Sequence, residues 1–154
     1  MARSLNELED IGVFEIYPAS HFLHLCLDIR SASVSAGGEV ILYPCRRNAN
    51  QRFRIRHFEG GWYVLEAIHS GMALDIYGAG GPGSKLCQYP FHGRENQLWR
   101  MEPAGSGAVR FQSAHQQLCI TAPGPDINSG GIVAAEHRND SARETQSFLL
   151  GIVK

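Results

Sequence analysis

The 154-residue sequence predicts an all-β fold of twelve short strands in three pseudo-symmetric repeats of about 46 residues. Three landmarks recur in the same order. "LCLDIR" at 25–30 returns as "MALDIY" at 72–77 and, more loosely, as "LCITAP" at 118–123. "VILYPC" at 40–45 returns as "LCQYPF" at 86–91 and "IVAAEH" at 132–137. An amide–aromatic motif closes each repeat, as "NQRF" at 50–53, "NQLW" at 96–99 and "TQSF" at 145–148. Asp28 to Asp75 is 47 residues and Asp75 to Thr121 is 46, while the glutamines are spaced 46 (Gln51 to Gln97) and 49 (Gln97 to Gln146).

Each repeat holds four runs of strand-forming residues separated by turn clusters. The first has "VFEIY" at 13–17, then 25–29, 40–44 and 53–57; before it, "SLNELEDI" at 4–11 can form one short helical turn. In the second repeat the runs are "WYVLEA" at 62–67, then 73–76, 86–90 and 98–101. The third has 109–113, 118–122, 132–136 and 147–152. "SASVSAGGE", "GAGGPGS" and "PGPDINSGG" supply the turns. No stretch sustains helical periodicity. Four short strands cannot bury a face alone, so the three units must close around a shared axis that hides their sheet edges.

Composition bounds the function. Fourteen basic and fifteen acidic side chains leave a net charge of −1, so no field draws nucleic acid. No apolar run approaches the ~20 residues of a membrane span, which argues against membrane insertion. The polar, acidic start "MARSLNELEDIGVFEIY" does not read as a secretion signal, so a cytoplasmic location is expected, with non-classical secretion left open. The four cysteines form no C-x-x-C pair and the seven histidines are scattered, so neither zinc nor another cofactor is expected. His21 and His24 read as loop residues. No Gly-x-Ser-x-Gly elbow, phosphate loop or His-Glu-x-x-His is present, and the chain does not read as an enzyme.

On these motifs the chain resembles the ricin B-type lectin family, a β-trefoil of three four-stranded lobes, and is similar to stand-alone defence lectins of fungi. Gln97-Leu98-Trp99 matches the family's Gln-x-Trp fully, while Gln51-Arg52-Phe53 and Gln146-Ser147-Phe148 keep another aromatic. The likeness runs over about residues 13–152, as one domain with lobes near 13–59, 60–106 and 107–152. It implies binding of glycans on glycoproteins or glycolipids, with galactose and N-acetylgalactosamine types favoured. It leaves the oligomeric state, including a homodimer, open.

A sugar presents hydroxyls that donate and accept and one apolar C–H face; its site needs a carboxylate or amide and an aromatic plate. By the resemblance those parts are Asp28, Tyr43 and Asn50 in the first lobe, and Asp75, Tyr89 and Asn96 in the second. Gln51 and Gln97 adjoin these sets as further candidates, although bridging backbone groups within the framework is the reading their amides favour. In the third lobe Thr121, Ala135 and Thr145 stand at the corresponding places, so that lobe is expected to be silent. Asp28 and Asp75 also fit as turn caps, and the tyrosines as packing aromatics. Many family members carry a Gln two residues before the aromatic, where this chain has Ile41 and Cys87. Arg46, Arg47 or His92 in the adjoining loops are the secondary candidates to complete the contacts. The family often carries an intralobe disulfide at the positions of Cys26 and Cys45, so that bridge and a reduced pair both stand as expectations. A protein-binding trefoil such as a protease inhibitor is the alternative function.

Overall fold

The structure is a computed structural model that describes residues 3–21, 24–123 and 130–154. The predicted turn at 123–131 lies largely outside the described residues, as does the stretch between His21 and His24. The strands are β1 (Glu9–Pro18), β2 (Leu25–Ile29), β3 (Val40–Pro44), β4 (Phe53–Glu59), β5 (Trp62–Ala67), β6 (Ala73–Ile76), β7 (Ser84–Tyr89), β8 (Trp99–Pro103), β9 (Val109–Ser113), β10 (Cys119–Thr121), β11 (Ala134–Glu136) and β12 (Phe148–Ile152). All twelve fall on the predicted runs. The short turn expected in "SLNELEDI" is a 3-10 helix over Leu5–Glu7.

Antiparallel pairing runs β1–β4–β5–β8–β9–β12 and returns to β1, which closes a six-stranded barrel. The other six strands form the hairpins β2–β3, β6–β7 and β10–β11. This barrel capped by three hairpins is a β-trefoil.

Burial explains the symmetry. β4 alternates, with Phe53 and Ile55 inward and Arg54 and Arg56 outward, as a half-buried strand must. Equivalent positions from the three lobes meet in one core: Ile16, Leu65 and Phe111; Leu27, Leu74 and Ile120; Phe53, Trp99 and Phe148. A smaller cluster outside the barrel gathers Leu8, Val64, Ala73 and Leu98, with Leu5, Trp62 and Phe91 against it. The N-terminal turn is thereby fastened to the second lobe.

Three glycines tie the hairpins together. Gly37 N–H donates to Gln88 C=O at 2.8 Å, Gly83 N–H to Ala135 C=O at 2.8 Å, and Gly130 N–H to Leu42 C=O at 2.6 Å. Their φ values are 88°, 91° and 83°, a left-handed conformation that side-chain-bearing residues rarely adopt. Each lobe is thus bonded to the next by the same backbone contact.

The structure departs from the sequence reading in several places. β1 starts four residues before the predicted run, because Gly12 at φ 143° absorbs a register shift and lets polar Glu9 and Asp10 pair with β4. A single helical turn, Arg143–Gln146, occupies the longer connection before the last amide motif. All four cysteines are free thiols. The Cys26–Cys45 bridge is therefore not formed. Burial pushes both thiols above the ordinary thiol range, disfavouring the thiolate that would start oxidation.

Candidate functional site

Each amide–aromatic motif delivers a buried glutamine to the junction between a hairpin and the barrel. Gln51 Oε1 accepts Arg46 N–H at 2.7 Å, while its Nε2 donates to Pro44 C=O at 2.8 Å and Asp28 Oδ2 at 2.9 Å. Gln97 Oε1 accepts His92 N–H at 2.9 Å, and its Nε2 donates to Asp75 Oδ2 at 2.9 Å and Pro90 C=O at 3.1 Å. Gln146 Oε1 accepts Asn139 N–H at 2.9 Å, and its Nε2 donates to His137 C=O at 2.8 Å and Thr121 Oγ1 at 3.1 Å. The pattern is the same in all three lobes, with a hydroxyl replacing the carboxylate in the third. Both amide protons of Gln51 and Gln97 are taken and both side chains are buried, so they position the site and leave ligand contact to others.

The asparagines differ. Asn50 Nδ2 donates to Asp28 Oδ1 (3.3 Å) and Ile29 C=O (3.1 Å), and Asn96 Nδ2 to Asp75 Oδ1 (3.0 Å) and Ile76 C=O (3.2 Å). Each Oδ1 has no hydrogen-bond partner among the described residues and remains an acceptor. A carboxylate offers about four lone-pair directions, and these amides use two, so each aspartate retains acceptor capacity. Asp28 and Asp75 are buried. Desolvation pushes both carboxyls above the ordinary aspartate range, opposed by their amide donors and by the nearby His69 and His92 respectively.

Over each Asp–Asn–Gln hub lies an open depression. The first, of about 360 Å³, is lined by Asp28, Asn50, Tyr43, Arg46, Arg30 and the Ser31–Ala32 turn. The second, of about 450 Å³, is lined by Asp75, Asn96, Tyr89, His92, Tyr77 and the Gly78–Ala79 turn. Tyr43 and Tyr89 are exposed, so they are available plates rather than core aromatics. Arg47 faces a different depression, beside Glu15, Tyr17 and Arg52, and does not belong to the first site. Ile41 and Cys87 pair directly with Asp28 and Asp75, and burial and the Asp75 charge push the Cys87 thiol up to about 12.

In the third lobe, strand pairing corrects the sequence alignment by one residue. Tyr43 lies opposite Cys26, Tyr89 opposite Ala73, and Glu136 opposite Cys119, so Glu136 rather than Ala135 occupies the aromatic's place. Ala135 is a buried core residue. That depression, about 340 Å³, carries Thr121, Glu136 and Thr145 and has no Tyr, Phe or Trp among its lining residues.

Sequence reasoning missed Arg30 and Tyr77, which follow the Leu-Asp-Ile segments, and the turns after them. Ser31 and Ala32 have φ 56° and 51°, and Gly78 and Ala79 have 61° and 51°, so both turns swing residue 30 or 77 over its site. In the sequence they show only as a column where the two repeats disagree beside a matching Leu-Asp-Ile segment, which does not place them at the site.

A trefoil carrying two such depressions is a lectin-type domain. The chain belongs to the ricin-type β-trefoil lectin domain family, whose model matches residues 15–148. No curated protein matches the sequence. Among solved structures it is similar to ThreeFoil, a designed threefold-symmetric protein, with 27% identity, TM-score 0.85, and 92% of this chain and 99% of that one covered. It is also similar to a ricin B-like lectin from Macrolepiota procera, solved in complex with lactose (17% identity, TM-score 0.76, 99% of both chains covered). A third likeness is to 1,3Gal43A, an exo-β-1,3-galactanase from Clostridium thermocellum (21%, TM-score 0.86), where it covers 95% of this chain but 31% of the enzyme.

Proposed function

We propose that this protein binds glycans of the galactose type through two shallow sites, in the first and second lobes, with the third lobe silent. The observation that carries this is the repetition of Asp, Asn with an open Oδ1, and an exposed Tyr around two depressions, set against the third lobe's Thr, Thr and Glu. The aspartate and asparagine accept from vicinal hydroxyls and the tyrosine underlies the sugar's C–H face. The complex of the Macrolepiota lectin with lactose supports a galactose-type ligand. The buried thiols of Cys26, Cys87 and Cys119 and the half-buried thiol of Cys45 are all pushed up by desolvation, which makes them poor nucleophiles.

Open sites of this kind bind single sugars near millimolar, about −4 kcal/mol. Isothermal titration with lactose tests the reading. The unaltered protein is expected to take two equivalents, Asn50→Ala and Asn96→Ala one each, and the double variant none while keeping its circular dichroism spectrum. Full stoichiometry in the folded double variant would refute the site assignment.

A further inference from the structure

The pseudo-threefold axis superposes the two depressions, and the superposition isolates what differs. The hubs are alike: Asp28 and Asp75, Asn50 and Asn96, Tyr43 and Tyr89. The walls are not. Arg30 in the first stands where Tyr77 stands in the second, since each follows the isoleucine that ends its strand. Arg46 stands where His92 stands, since each gives its backbone N–H to the lobe's glutamine.

The Arg46 guanidinium lies 5.4 Å from the centre of the Tyr43 ring, over the plate a sugar would use. It has no acidic partner among the described residues. Arg30 is half exposed and shares Glu39 (3.0 Å) with Lys85, which reaches the same carboxylate at 3.2 Å. Lys85 also lies over Tyr77 of the second site, so at the first depression the charge excess is that of Arg46, with Arg30 only partly neutralised by the shared Glu39. A neutral sugar entering the first site must displace Arg46 from Tyr43 and gives it nothing in return. A sugar bearing a carboxylate or sulfate draws the guanidinium off the ring into a charge-assisted pair, and the ring is uncovered as the anion is bound.

The second site is built differently. Tyr77 and Tyr89 flank it, and the Tyr89 face carries only the tilted His92 ring at 6.1 Å between centres. His92 Nδ1 accepts Arg94 N–H at 3.0 Å, which turns Nε2 toward Asp75 at 3.6 Å, so the imidazole is directed to the hub. Arg94 lines this rim and the Lys85 ammonium lies 4.6 Å from the centre of the Tyr77 ring, but among the described residues no cation lies over Tyr89.

We infer that the two sites differ in substrate class: the first selects glycans carrying an anionic group, and the second takes neutral galactose-type sugars. This rests on the lectin reading above and goes further by assigning a different ligand chemistry to each lobe.

The test uses the two single-site variants with lactose, 3′-sulfolactose and 3′-sialyllactose. With the second site silenced by Asn96→Ala, the first is expected to prefer an anionic probe over lactose by about fivefold, the upper range for an exposed charge pair. The preference should shrink in 0.5 M salt as the charges are screened. Arg46→Gln in that background should bring the ratio to unity; Arg46 is exposed, so folding is not at stake. With the first site silenced by Asn50→Ala, the second should bind lactose at least as well as either anionic probe. Preference for the sulfated or the sialylated probe alone supports the inference and identifies the anion. Equal selectivity of the two sites, with lactose bound by both, overturns the inference and leaves the lectin reading standing. No binding of any probe by the unaltered protein overturns both.

Discussion

At the scale of single residues, Asp28 and Asp75 each anchor the lobe's amides, and in the proposed function they also offer their remaining lone pairs to a ligand. Their burial raises both carboxyls above the ordinary aspartate value of 3.8. The folded protein therefore takes up these protons at a higher pH than the unfolded chain does. Their contribution to stability is fully present below 3.8 and is lost as pH rises through the folded-state values. Ligand binding runs the other way, because a protonated carboxyl gives up acceptor capacity. Lactose affinity, measured by titration between pH 7 and 4, is expected to fall while the fold persists, and to begin falling above the range of an ordinary aspartate. An affinity flat across that interval would contradict the shared role. His69 and His92 face these carboxylates and oppose part of the upward shift that burial imposes.

Among the elements, the third lobe separates framework from function. Gln146 makes the same three kinds of bond as Gln51 and Gln97 although its hub holds no aspartate. Gln146→Ala leaves buried donors and acceptors unpaired and is expected to cost about 2–3 kcal/mol in urea unfolding with lactose binding retained. Trp99, fully buried in the core, should cost more: Trp99→Ala is expected to remove about 3–5 kcal/mol. The repeat pattern made these elements readable, because a period of about 46 residues with four apolar runs admits few closures. The runs at 25–29, 40–44, 62–67, 73–76 and 109–113 match their strands residue for residue. The extension of β1 was not readable, since it depends on a glycine bulge and on ion pairing rather than on apolar alternation. The one-residue slip in the third lobe has a similar origin. The extra residues before Gln146 removed the spacing by which Glu136 could have been aligned with the tyrosines.

For the molecule as a whole, the two proposed sites on one rigid body would permit bridging without an oligomer. Two weak sites gain ~10²–10⁴ in avidity on a multivalent surface. Agglutination of glycan-coated beads is expected for the unaltered protein and should be lost in either single-site variant, even though each still binds soluble lactose. Agglutination that survives in Asn50→Ala or Asn96→Ala would reveal bridging by another route, such as self-association. The hubs of both sites were legible from the repeats. Their walls were not, because Arg30, Tyr77 and the turns behind them reach the sites through left-handed backbone that no apolar pattern announces.

The ring of three glycines has a consequence for anyone who would transplant these sites. Gly130, from the third lobe, lines the first depression and accepts from Arg30 through its carbonyl at 3.5 Å. Gly37, from the first lobe, lies so close to Tyr77 that a side chain there would touch the ring. The first depression is thus cut from two neighbouring lobes, and Tyr77 at the second is backed by the first lobe's turn. Shuffling whole lobes between relatives would split the first depression along its seam, and the unit that carries it intact is the first lobe together with the glycine turn of the third.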